Sequence, residues 1–97
     1  MGEIKMRYKV GYSQLERIVK GVASHRRLQM LELINNEPEL SLDQIVDKLK
    51  INYKTGGEHL RRLATSGLVL KRSEGNSVRH KISPRAESML KCLRTLE

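Results

Sequence analysis

Apolar residues recur at the three- and four-residue spacing of an α-helix in five stretches of the chain. Each stretch follows a residue that caps helix N-termini well, and the expected caps are Ser13, Ser24, Ser41, Asn52 and Ser83. Ser13 and Ser41 are each followed three residues later by Glu or Gln, which is the spacing of a capping box, and Ser83 precedes a proline. The pattern therefore predicts five helices.

Three other stretches are predicted to be β-strands, and two of them, residues 3–10 and 78–82, alternate apolar with polar or charged residues as strands do. Residues 3–10 predict an N-terminal strand or, alternatively, a basic arm that becomes ordered on a partner. Residues 69–72 and 78–82 predict the two strands of a hairpin, joined by the turn-forming residues 73–76. Gly67 stands where the preceding helix would end in a left-handed turn. The predicted order is a strand or arm, four helices, a hairpin and a final helix.

The size and charge of the chain narrow the choice of partners. A single domain of 97 residues buries only about 60–68% of the surface that its unfolded form exposes, so a second copy would extend its core. The net charge of +8 favours a polyanionic partner such as DNA, RNA or an anionic membrane surface over a charge that only keeps the protein soluble. Three tyrosines are the only aromatic residues. Because single-strand binders stack bases on aromatic side chains, this composition favours duplex nucleic acid.

Several classes of protein are disfavoured by what the sequence lacks. No apolar run approaches the roughly 20 residues of a membrane span, and no signal-peptide pattern opens the chain, so we expect a cytoplasmic protein without a membrane partner. The single Cys92 excludes an internal disulfide. No Ser-His-acid order, Cys-His order or phosphate loop is present, so we expect no enzyme and no cofactor.

Metal binding is not expected either. The soft ligands are His25, His59, His80 and Cys92, and they are scattered along the chain instead of being paired about two to five residues apart as in zinc sites. His80 lies on the same strand face as apolar residues, so we expect it to pack in the interior. Cys92 is expected to serve as a small hydrophobic residue on the last helix.

Three short motifs carry a resemblance to a known family. His59-Leu-Arg-Arg-Leu63 is followed by Gly67-Leu-Val69, and Leu40-Ser-Leu-Asp-Gln-Ile45 precedes both. In this order they resemble the arsenic-repressor (ArsR-type) family of winged helix-turn-helix transcription regulators, over about residues 15–83. The resemblance implies a mainly α fold, with a β-hairpin wing near the C-terminus and flanking dimerisation helices.

The resemblance also divides the single domain of residues 1–97 into three parts. Residues 1–12 would be the N-terminal strand or arm, residues 13–82 the winged-helix core, and residues 83–97 the C-terminal helix. In the family the first and last helices form the dimer interface. The residues expected there are apolar and lie on those two helices: Leu15, Ile18, Met89, Leu93 and Leu96.

The implied DNA contacts lie on the recognition helix, which would enter the major groove, and on the wing, which would reach an adjacent backbone or minor groove. The N-terminal turn of the helix would meet base edges and phosphates, and its later arginines would hold the backbone. The residues expected to contact DNA are polar, basic or small: Asn52, Tyr53, Lys54, Thr55, Gly57, Arg61, Arg62, Arg72, Asn76 and Arg79.

The chain departs from the family pattern at three places. Gly56 and Gly57 replace an apolar residue and a serine, which indicates either a frayed turn or bare backbone for a close approach to DNA. Glu58 would lie near phosphates, which is unfavourable unless an arginine pairs with it or a cytosine amine donates to it. The metal-sensing ligands of the family have no counterpart in residues 40–43 or 84–87, so we expect no metal effector.

The favoured function is sequence-specific binding of double-stranded DNA by a homodimer that regulates transcription, most simply as a repressor. Two alternatives stay open. The fold could serve as a protein-interaction module whose basic face docks on an acidic protein. It could also be a chromatin-type binder without a preferred sequence.

Overall fold

The computed structural model describes residues 7–97. Within that range the chain forms five helices and one antiparallel two-stranded hairpin. The elements are α1 (Tyr12–Val22), α2 (His25–Asn36), α3 (Leu42–Leu49), α4 (Tyr53–Thr65), β1 (Val69–Glu74), β2 (Ser77–Ile82) and α5 (Pro84–Arg94). Their order from α1 onwards is the predicted one. Across the same range, no helix has the length and apolar character needed to cross a membrane.

Four of the five expected N-caps are confirmed, because each accepts a hydrogen bond from a backbone N–H of the first turn. They are Ser24, Ser41, Asn52 and Ser83. The prediction for Ser13 is wrong. α1 begins at Tyr12, two residues before the start that a Ser13 cap implies, and its N-cap Gly11 supplies no side-chain bond. The backbone carbonyl of Gly11 already accepts from Leu15 N–H at 3.0 Å, so Ser13 falls inside the first turn.

The predicted N-terminal strand is absent from residues 7–10. Arg7 has no regular secondary structure, residues 8–10 form bends, and residues 3–6 of the predicted strand lie outside the described residues. A strand is stable only when a neighbour satisfies its backbone groups, and the sheet of the described chain contains β1 and β2 alone. The ring of Tyr8 instead packs edge-on against that of Tyr12, with centroids 6.4 Å apart.

The core surrounds α2, which packs against each of the other four helices and against β2. Six large side chains are fully buried, and they come from α2, α3, α4 and the turn before β1: Met30, Leu31, Ile34, Ile45, Leu63 and Leu68. Because α3 and α4 pack on α2 and on each other, their relative orientation is fixed by the core.

The hairpin is tied to the helices at its base. Glu39 N–H donates to the carbonyl of His80 at 2.8 Å, and His80 N–H donates to the carbonyl of Leu40 at 3.1 Å. The His80 ring Nδ1 also lies 2.8 Å from that Leu40 oxygen, and the side chain is 3% exposed. The expectation that His80 packs in the interior is therefore confirmed.

The tip of the hairpin is tighter than predicted. The strands extend to Glu74 and from Ser77, so the loop has two residues instead of four. Gly75, the first of them, has φ 60°, which glycine adopts without steric cost in such short turns. Gly67 has φ 73° at the end of α4, as the left-handed turn predicts.

Candidate nucleic-acid interface

α3 and α4 form the helix-turn-helix. Lys50 adopts a left-handed conformation (φ 56°) and ends α3, and only three residues separate the two helices. Asn52 then caps α4, because its Oδ1 accepts from the N–H groups of Lys54 at 2.8 Å and Thr55 at 3.2 Å. The side-chain oxygen of Asn52 is thus engaged within the protein, and its role is to begin the helix.

Gly56 and Gly57 are both helical, so the interpretation as a frayed turn is wrong. Gly56 is buried against α3, and a Cβ there would lie 2.4 Å from Val46 Cγ1. Its bare backbone therefore serves helix packing, and the expected approach to DNA does not apply to Gly56. Gly57 is half-buried, and a Cβ there would make an ordinary contact of 3.5 Å with Leu42. Of the two, Gly57 alone borders the open cleft beside the wing.

The solvent face of α4 begins with three exposed residues of its first turn, Tyr53, Lys54 and Thr55. Tyr53 is 58% exposed. Within the described residues, neither Lys54 nor Thr55 has a side-chain hydrogen bond or ion pair. The capped first turn of α4 holds the backbone of these residues in place, and their side chains are available to a ligand.

An acid stands in the middle of the same face. Glu58 Oε2 accepts from Arg61 Nη2 at 2.7 Å. The hydrogen bond and the positive charge of Arg61 together lower the pKa of the Glu58 carboxyl. Pairing with a neighbouring arginine is one of the two conditions under which an acid is tolerated at this position. Arg62 is exposed, and no acid within residues 7–97 pairs with it.

His59 lies on the side of α4 that meets the end of α1. Its Nδ1 is 3.3 Å from Arg27 Nη1, while Arg27 also donates to the carbonyls of Gly21 (2.6 Å) and Lys20 (3.1 Å). Burial lowers the pKa of His59, and the charge of Arg27 lowers it further. The lowered pKa favours the neutral ring, and because a guanidinium can only donate, Nδ1 accepts from Arg27. The contact joins α1, α2 and α4 and has no catalytic character.

The wing has two different faces because strand residues alternate. Arg72 and Arg79 are direct cross-strand partners on one face. Arg72 Nη2 donates to Glu39 Oε2 at 2.6 Å, and both arginines lie 3.4 Å from Glu74 Oε2. Lys71 is on the opposite face, where it borders a cleft of about 330 Å³ between α4 and the wing. Tyr53, Gly57 and Asn76 border the same cleft.

The structure thus brings three of the predicted DNA-contact residues to this cleft and leaves others elsewhere. Arg61 and Arg62 lie at the far end of α4, beside a second cleft of about 380 Å³ that Arg17 and Lys20 of α1 also border. Lys71 belongs to the basic hairpin but was not among the predicted DNA contacts, although its position next to Arg72 in the strand indicates that it occupies the other face. Arg17 and Lys20 were missed because no local pattern places α1 beside α4.

The expected dimerisation residues do not share one environment. Ile18 is 7% exposed and packs in the core of its own chain, so it is not on an available surface. Leu15, Met89 and Leu93 are half-buried. Leu96 lies beyond the end of α5 and is 75% exposed. Exposed apolar side chains that were not predicted for this role are those of Tyr12 and Val19 on α1.

Two further features concern metals and thiols. Within residues 7–97, no three His, Cys, Asp or Glu side chains are grouped so that they could hold a metal ion. Cys92 is exposed on α5, so the expectation that it packs as a small hydrophobic residue is wrong. Its neighbours Leu93 and Met89 are half-buried, and Met89 packs against the core.

Comparison with known proteins decides the family. The sequence profile of the arsR family of bacterial regulatory proteins matches residues 24–71, from the cap of α2 into β1. The transcriptional regulator HlyU of Vibrio vulnificus is 32% identical, with 87% of this chain and 88% of that chain covered and a TM-score of 0.71. The chain belongs to the arsR family. No protein with a curated description matches the sequence.

Other structures agree with this assignment. A homodimeric winged helix-turn-helix DNA-binding domain of Mycobacterium bovis is 28% identical, with 99% of this chain and 88% of that chain covered and a TM-score of 0.78. NolR of Sinorhizobium fredii, at 18% identity and a TM-score of 0.84 over 99% of this chain and 96% of that chain, shares the fold. The ArsR-family chain is therefore a winged helix-turn-helix transcription regulator and not an enzyme, as predicted.

Proposed function

We propose that this ArsR-family protein is a homodimeric repressor that binds a specific sequence of double-stranded DNA. The observation that carries the proposal is the first turn of α4. Asn52 caps it, Gly56 seats it on α3, and the side chains of Lys54 and Thr55 are exposed and unpaired within the described chain. A rigid helix end with free polar side chains is the arrangement with which helix-turn-helix proteins read the major groove.

Different residues would have different tasks on the duplex. Tyr53, Lys54 and Thr55 would contact base edges and nearby phosphates. Arg61 and Arg62 would hold the backbone farther along α4, and Gly57 would let the backbone of the duplex approach the cleft. On the wing, the residues proposed to contact a neighbouring phosphate or minor groove are Arg72, Asn76 and Arg79, and we add Lys71, which lines the cleft.

A homodimer would place two such helices on one duplex. Half-buried Leu15, Met89 and Leu93 and exposed Val19 leave apolar surface on α1 and α5, and the similar Mycobacterium bovis domain is homodimeric. Sedimentation at micromolar concentration should give a mass near twice 11.2 kDa. Leu93→Asp should produce a folded monomer, because a charge cannot be buried unpaired in an apolar interface. A monomeric wild type would contradict this assembly.

The decisive experiment is selection of bound duplexes from a random DNA library, followed by titration of the selected site in increasing salt. Counted without Lys71, four arginines (Arg61, Arg62, Arg72 and Arg79) in two subunits would make about eight phosphate contacts, which predicts a log–log slope near −7. Recovery of one preferred site would support the proposal. Salt-dependent binding without a preferred site would favour the chromatin-type role, and tighter binding to an acidic protein than to duplex DNA would favour the interaction module.

Repression and its control are part of the same proposal. A dimer that occupies a promoter in the cytoplasm would exclude other proteins from that DNA. We expect the affinity for DNA to be the same with and without zinc, nickel or arsenite. Titration of the complex with a chelator checks this, and a change larger than about tenfold would reveal an intersubunit metal site.

A further inference from the structure

The two wing arginines are held by acids of the same chain. Arg72 and Arg79 face each other across the hairpin, an arrangement in which two like charges repel. Glu39 and Glu74 offset this repulsion, because Arg72 bonds to both and Arg79 lies 3.4 Å from Glu74. Arg79 also donates to the carbonyl of Glu39 and to Gln44 Oε1, each at 3.5 Å. The wing arginines are therefore joined to the α2–α3 loop.

Glu39 occupies a backbone conformation that its residue type does not favour. Its φ is 73°, in the left-handed region where glycine and asparagine are the common residues. The conformation is fixed by the bond from Glu39 N–H to the carbonyl of His80. A glycine at residue 39 would relieve the strain but would remove the carboxylate that bonds to Arg72. The backbone conformation therefore does not require the Glu39 carboxylate, and the bond from Arg72 to this carboxylate is a separate contribution of the side chain.

We propose that Glu39, assisted by Glu74, is a positioning residue that holds the wing arginines in the absence of DNA and sets the strength of phosphate binding. A carboxylate and a phosphate offer the same charge-assisted acceptors to a guanidinium. DNA must therefore replace the carboxylate, and part of the gain from each new phosphate contact is offset by the broken intramolecular pair. This inference rests on the proposed DNA-binding function.

The test compares Glu39→Gln with Glu37→Gln in the full-length protein. Both substitutions remove one negative charge from the same loop, but Glu37 pairs with Lys48 on α3 at 3.1 Å and not with the wing. Glutamine preserves the size of the side chain, and unfolding curves of each variant check that the fold is unchanged. Dissociation constants are measured for one duplex at fixed salt.

We expect Glu39→Gln to tighten DNA binding by roughly threefold to tenfold more than Glu37→Gln does, since two exposed ion pairs per dimer are no longer broken. The gain should be the same for a selected and a random duplex, because phosphates carry no sequence information. In an Arg72→Ala background, Glu39→Gln should bring no gain beyond that of Glu37→Gln.

Each result distinguishes the positioning role from the proposed function. If Glu39→Gln and Glu37→Gln have equal effects while the wild type binds duplex DNA, the positioning role is overturned and DNA binding stands. If Glu39→Gln still gains more than Glu37→Gln in the Arg72→Ala background, the positioning role is also overturned. The gain would then come from the lost negative charge near the duplex and not from the release of Arg72. Absence of duplex binding in all variants would overturn the proposed function itself.

Discussion

The first turn of α4 and the wing both offer polar side chains to a ligand, but they do so in opposite states. At α4 the backbone is capped by Asn52, and the Lys54 and Thr55 side chains are free within the described chain. On the wing the backbone is anchored through His80, and the Arg72 and Arg79 side chains are already bonded to acids. Both regions have an anchored backbone. The polar side chains at the first turn of α4 are unpaired within the described chain, whereas the wing arginines are paired with acids.

The difference indicates how recognition is divided between them. Side chains that read base edges gain specificity when no competing partner must be displaced. Contacts to phosphates carry no sequence information, and an internal competitor changes only their strength. Within the proposed function, we therefore propose that the first turn of α4 reads the sequence and that the wing supplies adjustable, sequence-independent affinity.

The largest expected effect on stability concerns the packing of α4 on α3. Gly56→Ala places a methyl group 2.4 Å from Val46 Cγ1, so we expect it to lower the free energy of unfolding by about 1–2 kcal/mol after the gain in helix propensity. Gly57→Ala meets only an ordinary contact and should raise that free energy by about 0.5–1 kcal/mol. Urea unfolding measures both. Equal effects would mean that α3 and α4 do not pack as closely as described.

A smaller effect separates the cap of α4 from its proposed contact with DNA. Asn52→Ala removes the acceptor for the Lys54 and Thr55 N–H groups and should cost about 1 kcal/mol of stability. Asn52→Asp keeps that acceptor, so thermal unfolding should remain close to the wild type. It should nevertheless weaken binding to every duplex, since a carboxylate then faces phosphates. Undiminished DNA binding by Asn52→Asp would place this helix end away from the duplex.

The smallest effect concerns the anchor of the wing. Burial lowers the pKa of His80 below its value in the unfolded chain, although the bond to Leu40 partly opposes this. The unfolded state therefore binds the proton more readily, and the stability from the neutral ring, present at pH 7, is lost as pH falls below about 6.5. His80→Gln can still donate to Leu40 but does not titrate. Its unfolding free energy should change less between pH 7 and 5 than that of the wild type, and an identical pH dependence would contradict the explanation.

Local signals in the sequence were sufficient for most of the fold. Ser24, Ser41 and Ser83 cap their helices because a cap depends on residues within one turn. The same rule failed at Ser13, where an earlier backbone bond from Leu15 to Gly11 moved the helix start. Alternation over residues 3–10 failed at residues 7–10 because a strand also needs a partner, which a local pattern does not reveal.

The candidate site was harder to predict from the sequence, because the burial and pairing of its residues depend on residues that are distant in the chain. The role of Gly56 is set by Val46, ten positions earlier, and the pairing of Arg72 by Glu39 in another loop. The exposure of Lys54 and Thr55 could be predicted from helical spacing alone. Strand alternation could also have separated Lys71 from Arg72, but only the folded chain reveals that the first lines a cleft and the second bonds to an acid.

The most direct test of this division is the ratio of dissociation constants for a random duplex and the selected site, measured at matched salt. Lys54→Ala and Thr55→Ala should lower the discrimination by about 1–3 kcal/mol for each base edge that is no longer read. Arg79→Ala should weaken both duplexes equally and flatten the salt slope by about 2 per dimer. If Arg79→Ala changes the ratio while Lys54→Ala and Thr55→Ala leave it unchanged, the wing reads the sequence and the assignment to α4 is wrong.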